Sequence, residues 1–178
     1  MADEQKLKIV IFGAFGAGKT TLIKTLDPAS NHVEADCAGG TTTISLDYGR
    51  IRLDGKNIYL FGTPGQERFE FARQVIAKGM DGAILLIDVT REPDDFTRHL
   101  YTTLIHADVP LVIFLNKGET HGANPELFKS QFGSSEIRNV SAMDKEQCMN
   151  VLVQFIRKLS RRDERQHPSG RDTLAKTT

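Results

Sequence analysis

Residues 13–20 read GAFGAGKT directly after the apolar run of residues 7–12, and no other feature restricts the possible folds so tightly. The segment matches the G-x-x-x-x-G-K-[ST] phosphate loop, which works only between a strand and the first turn of a helix. Glycines at Gly13, Gly16 and Gly18 let the chain wrap an anion, with the backbone N–H groups from Ala14 to Thr21 and the helix N-terminus directed at it. Phe15 and Ala17 are the remaining residues of the cradle. Lys19 is then a point charge for the outer phosphates, and the Thr20 hydroxyl a ligand for Mg²⁺. A bound nucleoside phosphate is therefore the first expectation.

Composition narrows the setting. At 178 residues with 39% hydrophobic content, the chain has the size and apolar material of one ordinary domain. Lys plus Arg equals Asp plus Glu at 23 each, so no global field recruits nucleic acid or an anionic membrane. Residues 1–6 are charged, unlike a signal peptide, and no run has the roughly 20 apolar residues of a membrane span. A cytoplasmic location is expected. Cys37 and Cys148 lack metal-ligand spacing and read as reduced thiols. Ala2 and the terminal Ala-Lys-Thr-Thr offer no myristoylation or prenylation site.

Strand-like runs fall at residues 7–12, 43–53, 56–61, 83–89 and 111–115, with a short one at 136–140. Asp54-Gly55 between the second and third is a hairpin turn, which makes that pair antiparallel. The other runs are continuously apolar, as in strands covered by helices on both faces. Helices are expected over residues 19–26, 68–78, 93–107, 125–132 and 145–161. Pro93, Asp94 and Asp95 read as a helix first turn. In the last helix Cys148, Val151, Leu152, Phe155, Ile156 and Leu159 form one face. The expected architecture is α/β, a P-loop NTPase with a six-stranded, mostly parallel sheet, one antiparallel edge hairpin, and helices on both faces. Residues 1–161 form the domain, and 162–178 read as a mobile tail. Ligands of such sheets bind at the carboxyl ends of the strands.

Four further segments follow strand-like runs or the loop that begins near Asp27. FGTPGQERF spans residues 61–69, NKGE spans 116–119, Ser141-Ala142-Met143 follows the last strand, and TISLDY spans 43–48. With GAFGAGKT, their order and spacing resemble the Ras-like small GTPases over about the first 160 residues. The glycine of FGTPGQ and the absence of a lipidation signal look most like the prokaryotic branch that includes the gliding-motility polarity GTPases.

The resemblance implies roles. Thr43, with Thr42 as the neighbouring alternative, would bind Mg²⁺ and the γ-phosphate, unless Thr41, Thr42 and Thr43 merely open a β-branched strand. The Gly65 N–H would bond the γ-phosphate, and Gln66 would orient the attacking water. Asn116, Lys117 and the Glu119 carboxylate would select guanine, with Ser141, Ala142 and Met143 closing the base pocket. Cofactors would be Mg²⁺ and GTP/GDP. The partners implied are protein regulators, among them Roadblock/LC7-domain proteins, with no nucleic acid and no lipid anchor, for a monomer or weak dimer.

Three residues depart from the pattern. Gly62 stands where most small GTPases carry an aspartate that holds Mg²⁺ through water, so weaker metal affinity is expected. Asp88 is a conceivable substitute, but reads better as a loop cap. Phe15 replaces a glycine of Ras, and either crowds the γ-phosphate or points outward. Glu119 replaces an aspartate, which can loosen guanine selection. The leading reading is a slow regulatory GTPase. The alternatives are a nucleotide-binding interaction protein with negligible hydrolysis and, further off, a metabolic P-loop kinase. His32, His99, His106, His121 and His167 show no ligand spacing.

Overall fold

The computed structural model describes residues 5–36, 43–133 and 135–166. In chain order the elements are β1 (Lys6–Phe12), α1 (Lys19–Leu26), β2 (Asn31–Asp36), β3 (Thr43–Leu53), β4 (Lys56–Gly62), a 3-10 turn (Glu67–Phe69), α2 (Glu70–Ala77), β5 (Gly82–Asp88), α3 (Asp95–His106), β6 (Leu111–Asn116), α4 (Pro125–Lys129), β7 (Glu136–Val140) and α5 (Lys145–Gln166).

The described strands form one seven-stranded sheet in the order β2-β3-β4-β1-β5-β6-β7. β3 is antiparallel to both β2 and β4, and the pairs from β4 through β7 are parallel. Alternation along β1 shows how the layers divide. Ile9 and Ile11 face a core shared with α1 and α5, including Leu22, Leu152 and Phe155. Val10 and Phe12 face the opposite core, with Leu100, Leu104 and Phe128 from α3 and α4. Burying each such side chain contributes roughly 1.5–3 kcal/mol, which is why the central strands carry apolar residues on both faces.

Two expectations need correction. The sheet has a seventh strand, β2, where a loop from Asp27 was expected; it pairs with β3 from Asn31↔Tyr48 to Asp36↔Thr43. Its sequence NHVEAD alternates only through Val33 and Ala35, too short a pattern to signal a strand; β2 is an edge strand held by one ladder, and Val33 is half exposed. Charged residues on such an edge discourage further pairing. The last helix runs to Gln166, beyond the expected end at 161, because RRDERQ, apart from Asp163, continues in strong helix formers. The rest of the expected tail lies outside the described residues.

The hairpin follows the sequence, while α3 starts two residues later than expected, at Asp95. Leu53 pairs with Lys56 across Asp54-Gly55. Asp54 also accepts from the Arg157 guanidinium of α5 at 2.8 Å, which lowers the Asp54 pKa. At α3, Asp94 caps the helix by accepting from the Thr97 N–H at 2.7 Å. Among the described residues, no helix is long and apolar enough to cross a membrane.

Candidate functional site

β1 delivers the phosphate loop to the carboxyl edge of the sheet, and α1 begins inside it at Lys19. Gly18 has φ 105°, and a Cβ there would lie 2.5 Å from Asn116 Nδ2, so only glycine fits. Lys19 is buried and donates to the carbonyls of Gly13 at 2.7 Å and Ala14 at 2.9 Å. Burial, partly offset by Asp47 and reinforced by Arg73, pushes its ammonium down to about 8. A cleft of about 330 Å³ opens here, lined by Phe15, Gly16, Gly18, Lys19, Thr20 and Thr21 on one side. Ser45, Asp47, Thr63, Gly65 and Lys117 complete it.

The loop after β4 lies directly on the phosphate loop. A Cβ on Gly65 would stand 2.6 Å from Phe15 N and 2.8 Å from Lys19 Nζ, an approach that excludes every other residue type. The buried guanidinium of Arg73, from α2, donates to the carbonyls of Gln66 at 2.6 Å and Glu67 at 2.8 Å. It also stacks 4.9 Å from the Phe96 ring centroid. Gln66 is exposed, and its Oε1 accepts from Arg68 Nε at 2.8 Å. Phe15 is 73% exposed and lines the open mouth of the cleft with Lys19.

On the base side, buried Asn116 donates to the Ala17 carbonyl at 2.9 Å and accepts from the Ala142 N–H at 2.8 Å. One side chain thus joins the phosphate loop to the loop after β7. Lys117, at φ 67°, donates to the Gly16 carbonyl at 2.8 Å and to Asp88 Oδ2 at 2.6 Å. Asp88 also accepts from the Thr90 N–H at 3.0 Å, so it caps its loop and holds Lys117; these donors depress its carboxyl against the opposing effect of burial. Glu119 Oε1 accepts from Ser141 Oγ at 3.0 Å. Met143 is 81% exposed. Thr43 opens β3 opposite Asp36, while Thr41, Thr42 and Cys37 lie outside the described residues.

Three functional candidates escaped the sequence reading. Arg73 gives no motif signal. Asp47 accepts from Thr20 Oγ1 at 2.6 Å and contacts His32 Nδ1 at 2.6 Å, which ties His32 to the cleft. That hydrogen bond raises the His32 pKa. A signal for Asp47 existed: counting back from the Asp54-Gly55 turn pairs Asp47 with Gly62, as observed. The Thr20 hydroxyl and Asp47 carboxylate are hard oxygen donors beside a phosphate cradle, a set that suits Mg²⁺, which needs few protein ligands when phosphates supply others.

Fold and loop architecture are those of a P-loop GTPase. The family model described as 50S ribosome-binding GTPase matches residues 8–117, and the chain belongs to that family; it is accordingly a GTPase. It is 35% identical over 114 residues to an uncharacterised protein of Methanocaldococcus jannaschii, covering 64% of this chain and 71% of that one. Translation initiation factor IF-2 of Mesoplasma florum is 32% identical over 129 residues, 72% of this chain but 20% of the factor. The chain thus spans about a fifth of that relative. In fold it resembles the G domain of the Thermotoga maritima FeoB iron transporter, with TM-score 0.66, 18% identity, and coverage of 88% and 99% of the two chains. It also resembles elongation factor SelB of Methanococcus maripaludis, solved with the GTP analogue GppNHp, with TM-score 0.68, 20% identity, and coverage of 90% and 35%.

Proposed function

We propose that this GTPase works as a small regulatory switch, cycling between GTP- and GDP-bound states with slow intrinsic hydrolysis. The observation that carries the reading is the approach of Gly65 to the Phe15 backbone and the Lys19 ammonium. A peptide N–H in that position senses a third phosphate, and the segment Arg73 clamps moves with it. In this reading Lys19 holds the outer phosphates, Thr20 and Thr43 hold Mg²⁺, and Gln66 leaves Arg68 to orient the attacking water. Mg²⁺, when bound, neutralises the developing phosphate charge. Asn116 and Lys117 shape the base pocket, and Glu119, fixed by Ser141, accepts from guanine; adenine would leave that carboxylate unpaired. The reading extends to a cytoplasmic setting and to protein regulators of the Roadblock/LC7 kind, which the resemblance to the prokaryotic branch supports.

Hydrogen exchange of residues 62–70 in protein loaded with GDP or with a non-hydrolysable GTP analogue tests the switch. Slower exchange with the analogue is expected, and identical exchange in both states removes the regulatory reading. Gln66 is engaged by Arg68, which favours a second reading, an interaction protein that hardly hydrolyses GTP. Phosphate release that does not fall in Gln66→Leu over hours would select it.

A further inference from the structure

Asp47 lies directly opposite Gly62 in the β3–β4 ladder. A Cβ built on Gly62 would be 3.1 Å from Asp47 Cβ and 3.3 Å from Asp47 Oδ2. Asp47, together with Ile23 Cδ1 at 3.1 Å, therefore occupies the space that a side chain at position 62 would need. It is 9% exposed, lines the cleft with Lys19, Thr20 and Gly65, and keeps its Oδ2 on the Thr20 hydroxyl at 2.6 Å. His32 of β2 holds the other oxygen at 2.6 Å, which fixes the side-chain rotamer. A buried carboxylate beside a polyphosphate is repulsive unless a cation stands between the two charges.

We propose that Asp47 supplies the carboxylate of the Mg²⁺ site, taking from β3 the place that Gly62 leaves open on β4, and that His32 is its positioning residue. The inference rests on the GTPase reading of the cleft, and assigns a role that residue 62 cannot have. Antiparallel register makes the exchange possible, because directly opposed residues project from the same face of the sheet. The sequence-based expectation of weak Mg²⁺ affinity is then replaced by affinity comparable to that of GTPases with an acid at position 62.

The test is release of a fluorescent GDP from the full chain over a range of free Mg²⁺ concentrations. In the wild type Mg²⁺ slows release; Asp47→Asn moves the Mg²⁺ concentration of half effect upward by about 10–100-fold, the range seen when a group that orients a metal's ligands is removed. His32→Ala moves it the same way by less. The double variant Asp47→Gly with Gly62→Asp, which relocates the acid across the ladder, brings the half-effect concentration back toward the wild-type value. Rescue of this kind separates a metal role from a structural one. An unshifted half-effect concentration in Asp47→Asn overturns the proposal, as does a double variant that folds by circular dichroism yet stays as insensitive to Mg²⁺ as Asp47→Asn. If the wild type takes up no GDP at any Mg²⁺ concentration, the GTPase reading of the cleft has failed instead.

Discussion

Asn116 donates to the Ala17 carbonyl at 2.9 Å across ninety-nine residues of sequence, and is itself buried to 2% exposure. Because the same amide accepts from the Ala142 N–H, β6 holds the phosphate and base ends of the cleft in one register. Asn116→Ala leaves both backbone groups without their partner. A loss of about 1–3 kcal/mol per unsatisfied buried group is expected. Urea unfolding should show it, together with a fall of at least roughly tenfold in GDP affinity, the equivalent of 1.4 kcal/mol. Wild-type affinity in that variant would mean the staple does not shape the cleft.

Arg73 makes a comparable connection within one segment. Its fork reaches the carbonyls of Gln66 and Glu67, and a lysine has no matching geometry. Arg73→Lys should therefore behave like Arg73→Ala, raising amide exchange across residues 64–69 and slowing single-turnover hydrolysis. Restoration of wild-type exchange by lysine would show that charge alone is enough.

Gly65 tolerates no side chain against Phe15 N at 2.6 Å. Gly65→Ala forces the loop away from the phosphate loop while leaving the base side intact. The expected result is GDP affinity near wild type with the preference for GTP analogue reduced, read from paired titrations.

Lys19 gives a pH dependence with a definite sign. Burial sets its pKa at about 8 in the free protein, and phosphates would hold the ammonium charged well above that. Binding then takes up a proton above pH 8, so nucleotide affinity should fall as pH rises beyond about 8, by at most tenfold per unit. Stability of the nucleotide-free protein moves oppositely. The folded pKa lies below the ordinary 10.5, so the unfolded chain binds more protons between those values, and stability from this group rises with pH there. Calorimetry in buffers of different ionisation heat measures the proton uptake.

Phe15 is 73% exposed at the mouth of the cleft, so little of it is packed against other atoms. Phe15→Gly should leave the single-turnover rate within about twofold, roughly 0.4 kcal/mol in barrier height. A large acceleration would restore the crowding explanation for slow turnover.

Much of this molecule is written locally. GAFGAGKT after an apolar run specifies strand, loop and helix at once, because backbone geometry and anion binding demand the same glycines. The Asp54-Gly55 turn is equally local and forms as expected, while Asp94, read as part of the first turn of its helix, stands one position earlier as the N-cap. β2 was not legible, since an edge strand with one ladder and two wet faces needs no apolar period. Nor was Arg73, whose partners are carbonyls that carry no sequence signature.

The sequence by itself determined the phosphate loop, the central strands and the class of ligand, because each depends on residues within a few positions of one another. Only the tertiary structure decided that Phe15 is largely exposed at the cleft mouth, that Asn116 bonds to Ala17, and that Asp47 stands across from Gly62. Those facts depend on how strands distant in sequence come into register. The β3–β4 ladder puts a carboxylate beside Thr20 where the chain, read along its own length, shows only a glycine.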